Sequence, residues 1–212
     1  MNKKEKVIIK THEVSLMWPY IQKPQTEIKN HGKIAPNYNV TIYLEENHEE
    51  TKELVHNIRE TWLPYYDKLC TEKNKKVPYR NFFKTHDDNP KYIEKGIYAF
   101  NPKLSASGVD AKGRNWEQRP AIYDSSKREI TKALDDRGET IGNGTRARLA
   151  IELSPYFISG TAGIALKLRA VQIIDLKVYD PSSSKDLFTE VEGFTVAETV
   201  TANATESEYD FD

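Results

Sequence analysis

The sequence predicts a mainly β fold: a small five-stranded antiparallel barrel with one inserted α-helix and a disordered acidic C-terminal tail. Three observations carry this. Apolar and polar residues alternate over 37–44, 145–153 and 164–170 with the period of two that a half-buried strand requires. Only over 48–62 does the spacing become convincingly helical. The charge is also divided: residues 1–185 carry 31 basic and 24 acidic residues, a net of +7, whereas residues 186–212 carry eight acidic residues and no Lys or Arg.

The 212 residues suit one full-sized domain, 1–185, followed by a tail, 186–212. No apolar run approaches the roughly 20 residues of a membrane span, and the opening Met-Asn-Lys-Lys-Glu-Lys has no apolar segment behind it to act as a signal. A lone Cys70 offers neither an internal disulfide nor a zinc site. These features predict a cytoplasmic protein without a membrane partner.

Each element has its own signal. β-branched residues from Val7 to Met17 predict a first strand, ended at Trp18-Pro19 because proline cannot donate to a ladder. Residues 22–33, with Pro24 and Gly32, read as a loop. In the next strand Tyr38, Val40, Ile42 and Leu44 share one face, and Asn37, Asn39, Thr41 and Tyr43 the other. Leu54, Val55, Ile58 and Trp62, continuing to Tyr66 and Leu69, fall at helical spacing; Asn47 and Glu50 form a capping pattern, and Pro64 is expected to end or kink the helix.

A basic loop over 72–80 and an irregular stretch over 82–89 follow. Short strands at 97–100 and 121–123 flank a Ser/Gly/Lys-rich excursion. Asp135-Asp136-Arg137-Gly138 and Gly142-Asn143-Gly144 are turn signals. Ala147, Leu149, Ile151 and Leu153 then oppose Arg146, Arg148, Ala150 and Glu152. After a Ser159-Gly160 turn, Ile164, Leu166, Leu168 and Ala170 oppose Ala165, Lys167 and Arg169. The two runs make an antiparallel hairpin whose outer face carries four cations. Val171 and Ile173 fall on the polar face, so a bulge or a buried edge must intervene. Residues 179–184 read as a linker. Five or six strands with a helix between early ones favour a closed barrel over a sandwich, and the OB-fold is the barrel built this way.

Catalysis has little support. The five histidines are scattered, with no i, i+4 pair for zinc, and Gly142-Asn143-Gly144 precedes a strand where a phosphate loop would open a helix. Asp124, Glu129 and Lys132 could form a nuclease centre, but such spacing is common by chance. We therefore expect no enzyme, cofactor or metal.

A site for single nucleic-acid strands needs cations that track phosphates and flat side chains on which bases stack. Arg146, Arg148, Lys167 and Arg169 project opposite the apolar faces, and Tyr43 stands on the polar side of its strand. Tyr98 and Phe100 share a face, followed by Lys103; Lys112, Arg114, Trp116 and Arg119 lie in the excursion. Each has an ordinary explanation: outward cations are usually just solvated, and Tyr98 and Phe100 suit a core equally well. A non-catalytic adaptor that binds only proteins is the alternative.

Three segments carry a family resemblance. Ser15-Leu16-Met17-Trp18-Pro19-Tyr20, with the strand and helix after it, resembles the opening of phage single-stranded-DNA-binding proteins of the replication-associated OB-fold type. Gly163 to Ile174 is similar to that family's last barrel strand. Glu206, Glu208, Tyr209, Asp210, Phe211 and Asp212 resemble its acidic tail, although Phe, typically the last residue there, is here followed by Asp212. The resemblance implies single-stranded DNA binding in replication, recombination and repair. It also implies a tail that docks replisome proteins such as the polymerase and helicase-primase, and homodimers.

A flexible tail of 27 residues has a root-mean-square reach of about 29 Å, against a radius of gyration of about 16 Å for a body of this size. The tail is therefore expected to compete with DNA for the basic face. Deleting 186–212 should raise affinity for a single-stranded oligonucleotide, most strongly at low salt where charges are least screened. Fluorescence titrations at two ionic strengths test this, and unchanged affinity at both contradicts the competition.

Overall fold

The computed structural model describes residues 6–28 and 32–180. Among them the elements run β1 (Val7–Lys10), β2 (Val14–Ser15), β3 (Met17–Ile28), β4 (Gly32–Glu45), α1 (Glu49–Lys73), β5 (Ile97–Phe100), β6 (Lys103–Ser105), β7 (Ser107–Val109), β8 (Asn115–Glu117), β9 (Ala121–Tyr123), α2 (Thr131–Arg137), β10 (Arg146–Ile158) and β11 (Thr161–Asp175). The mainly β class and the helix inserted between early strands are as expected. The acidic segment 186–212, and the disorder expected of it, lie outside the described residues.

The alternation over 37–44 organises the sheet. Tyr38, Val40, Ile42 and Leu44 are buried in the core, so Asn37, Asn39, Thr41 and Tyr43 face the other way. β4 pairs with β3, β5 and β6, all antiparallel. The main path of the nine-stranded sheet is β1-β10-β11-β6-β4-β3, with β2 on β10, β5 on β4 and β9 on β11; β7 and β8 form a separate hairpin.

Among the described residues no pairing joins β3 back to β1, so the sheet is not closed, contrary to the expected closed barrel. β3 explains this. It continues through Trp18-Pro19 into residues read from sequence as a loop, but Pro19 and Pro24 donate no N–H, and its register with β4 shifts three times. A strand so interrupted is suited to an edge. The expected first strand, 7–17, is likewise divided among β1, β2 and the start of β3.

β10 and β11 form the expected hairpin. Its tip, Ser159-Gly160, has both residues at positive φ, 50° and 80°. Leu149 pairs Val171 and Ala150 pairs Ala170, but Ile151 pairs Leu168, so Arg169 is an extra residue in β11. That bulge returns Val171 and Ile173 to the core.

α1 buries Leu54, Val55, Ile58, Trp62 and Leu69, the stripe read from the sequence. Its N-cap is His48 without a side-chain cap bond, so Asn47 and Glu50 make no capping box; Glu49 and Glu50 instead place negative charge on the first turn. The helix runs through Pro64 to Lys73, where Asn74 adopts the left-handed conformation and donates to the carbonyls of Cys70 and Thr71. Apolar packing on both sides of Pro64, by Trp62 and Leu69, offsets the break. Asp135-Asp136-Arg137-Gly138 is the end of a short helix, with Gly138 at φ 65° as its cap. No helix among the described residues is long and apolar enough to cross a membrane.

Pro64 supplies no N–H to the carbonyl of Glu60. Pro64→Ala restores that donor and is expected to stabilise the fold by about 1–3 kcal/mol in urea unfolding. Equal or lower stability would mean that the proline ring's packing outweighs the missing bond.

Candidate nucleic-acid interface

The outward face of β4 is the floor of a groove of about 1330 Å³. Asn37, Asn39, Thr41 and Tyr43 all line it, with Lys103 of β6 and Lys167 and Arg169 of β11 beside them. Register explains the adjacency: Asn39 pairs Lys103, which pairs Lys167. Amides fix the floor. Asn39 donates to Asn37 and Gln25 at 2.9 Å each, and Asn101 donates to the Val40 carbonyl and the Thr41 hydroxyl.

Charge in the groove is one-sided. Among the described residues, Lys84, Lys103, Lys167 and Arg169 border it, against one carboxylate, Glu27. The cations are not equally available. Glu152, buried beneath the outer face, accepts from Arg169 Nε at 2.9 Å and lies 2.7 Å from its other nitrogen, 3.4 Å from Lys6 and 3.7 Å from Lys167. Burial would raise the pKa of Glu152, but the hydrogen bonds and charges of Arg169 and Lys6 hold it below the ordinary value. Among the described residues no carboxylate pairs with Lys84 or Lys103. Although Lys103 keeps contact with solvent, desolvation by the surrounding protein, and then the charge of Lys84, lower its pKa. An anion seated between these ammonium groups would relieve their repulsion.

Aromatic rings stand along the same groove. Trp18, Tyr20 and Tyr92 line it and are each more than 40% exposed. Trp18 has φ 48°, an uncommon conformation for a bulky residue, and its N–H donates to Asn143 Oδ1 at 2.6 Å. Its ring meets Tyr43 edge-on at 6.1 Å. Burial raises the pKa of the Tyr43 hydroxyl. Trp116, the middle residue of β8, and Tyr156 complete the walls.

The candidates read from sequence therefore separate. Tyr43, Lys103, Trp116, Lys167 and Arg169 come together in the groove. Phe100 is core, 1% exposed, because Ala99 rather than Phe100 faces the groove. Tyr98 stacks on Phe83 at 4.1 Å and donates to Glu46 at 2.6 Å, away from the groove. Arg114 is held by Asp110 within its own turn, beside exposed Lys112, whose N–H also donates to Asp110. Arg119 pairs with Asp135, and Arg146 with Glu13 and Asp175. Arg148 is exposed but does not border the groove. Of the four hairpin cations, Lys167 and Arg169 thus border the groove, and Arg146 and Arg148 do not. Asp124 is committed to Arg128, at 2.8 Å, and Tyr209, Phe211 and their acidic neighbours lie outside the described residues.

Sequence reasoning passed over Lys84, Tyr20, Tyr92 and Tyr156. Lys84 and Tyr92 sit in irregular chain without a period, Tyr20 follows the proline that seemed to end its strand, and Tyr156 lies beyond the alternation that marked β10.

No family model matches the chain, and no match is found among the curated proteins. Solved structures do match. One is gp2.5, a single-stranded DNA binding protein encoded by bacteriophage T7, at TM-score 0.64 and 19% identity over 91% of this chain and 100% of that one. Another is the single-stranded DNA-binding protein from bacteriophage Enc34 in complex with single-stranded DNA, at TM-score 0.53 and 17% identity over 80% of this chain and 87% of that one. At these identities the likeness is one of fold.

The lowered pKa of Lys103 has two causes, and one can be removed. Lys84→Ala is expected to raise it towards the ordinary lysine value in an NMR titration of the side-chain signals. An unchanged midpoint would show that the two ammonium groups do not sense each other.

Proposed function

We propose that this protein binds single-stranded DNA with little sequence preference and without catalysis, in the groove across β3, β4, β6 and β11. The observation that carries the reading is the juxtaposition of two carboxylate-free lysines, Lys84 and Lys103, with exposed rings of Trp18, Tyr20, Tyr92 and Trp116 in one groove. Phosphates would take the place of the missing counter-charges, and splayed bases would lie on the rings, whose π-faces accept any base. The two solved structures named above are described as single-stranded DNA-binding proteins, and this supports the same reading. A duplex hides its base faces and offers nothing to the aromatic walls.

The wider role belongs to the same proposal. The protein serves phage DNA replication, recombination and repair in the cytoplasm of a bacterial host. Its acidic segment 186–212, with Tyr209 and Phe211 among the carboxylates, recruits replication proteins such as a polymerase or helicase-primase. A homodimer fits the reading as well.

Titration of oligo-dT, single-stranded against duplex, tests the core of the reading. The wild type should prefer the single strand, and affinity should fall steeply with salt. Lys84→Glu/Lys103→Glu should weaken binding and make the slope of log K against log salt shallower by about 1.4, since each phosphate contact on a single strand contributes about 0.7. No binding at low salt, or an unchanged slope in the variant, would contradict it.

A further inference from the structure

Two groove rings are held in an unusual way. Trp116 of β8 is the cross-strand partner of Gly108 in β7, and Tyr156 of β10 is the partner of Gly163 in β11. A Cβ added to Gly108 would sit 2.5 Å from Trp116 Cζ2 and 2.8 Å from Cε2. One added to Gly163 would collide with Tyr156 Cζ and Oη. Each ring therefore lies against the bare backbone of its partner strand.

Neither glycine has a positive φ, so the backbone conformation does not call for glycine at either place. What calls for it is the space the ring occupies. The two rings also have no other tether among the described residues: no hydrogen bond or ring contact fixes Trp116 or Tyr156. Tyr98 differs, with its face on Phe83 and its hydroxyl on Glu46. A ring backed by a glycine on one side and bordering the groove with the rest is free to take a base.

We propose that Gly108 and Gly163 are positioning residues for DNA. Each lets an aromatic side chain lie flat on the sheet as a base-stacking platform. This rests on the single-strand reading above and adds to it which rings stack and what orients them. A methyl group at either glycine lifts the ring off the strand and tilts it into the groove, so the stacking face is lost while the phosphate-binding lysines stay in place.

The full-length chain tests this with an oligo-dT titration followed by tryptophan emission. Gly108→Ala should lower affinity by about five- to tenfold, the lower part of what one base–aromatic stack is worth, reduce the emission quench, and leave the salt slope unchanged. Trp116→Leu removes both the platform and the clash. In that background Gly108→Ala should change affinity by less than about twofold, because the glycine acts only through the ring. Gly163→Ala with Tyr156→Leu should repeat the pattern. The proposal is overturned if Gly108→Ala binds like the wild type, if it costs as much in the Trp116→Leu background as in the wild type, or if it also flattens the salt slope. A wild type that fails to bind overturns the single-strand reading and this proposal together; normal wild-type binding with a neutral Gly108→Ala overturns only this one.

Discussion

The groove depends on the register of one strand. β4 can bury Tyr38, Val40, Ile42 and Leu44 only by turning Asn37, Asn39, Thr41 and Tyr43 outward, and a slip of one residue would exchange the two sets. β3, β5 and β6 all take their pairing from β4. Through β6, β4 also sets Lys103 beside Asn39 and next to Lys167 of β11. The apolar core thus specifies the polar surface: hydrophobic burial holds the register, and the register puts amides, lysines and rings on one floor.

Charge is sorted by the same construction. The positive excess of residues 1–185 is not spread evenly, since many cations are paired locally. Arg114 closes its own turn on Asp110, Arg128 does so on Asp124, and Arg146 joins Glu13 to Asp175. Exposed pairs of this kind contribute little to stability, but they remove those guanidinium groups from competition for a ligand. Glu152 occupies an intermediate place: it anchors Arg169 beneath the groove and leaves Lys167 more loosely held at 3.7 Å. Of the cations that border the groove, Lys84 and Lys103 are left without a carboxylate partner among the described residues.

Periodicity made much of this legible in the sequence. The inner and outer faces of β4, the buried stripe of α1, and the β10–β11 hairpin follow from spacing, because a strand or helix long enough to be half-buried must show its period; at Val171 spacing left a bulge or a buried edge open, and the structure has the bulge. What spacing did not reveal was set by contacts remote in sequence. β3 runs past Pro19 because an edge strand tolerates a missing N–H. Phe100 is core and Ala99 is floor because β5 is registered on β4, a choice open from either side in a four-residue strand. Lys84 reaches the groove from a segment without repeating structure, tied to Ala99 by two backbone hydrogen bonds.

The three tryptophans divide the molecule in a way that one measurement can use. Trp18 and Trp116 border the groove, whereas Trp62, on the buried face of α1, is 5% exposed. In an NMR titration of the full chain with oligo-dT, the indole N–H signals of Trp18 and Trp116 should shift together with saturation while that of Trp62 stays in place. Saturable binding that moves Trp62 and leaves the other two unshifted would put the DNA elsewhere and contradict the account.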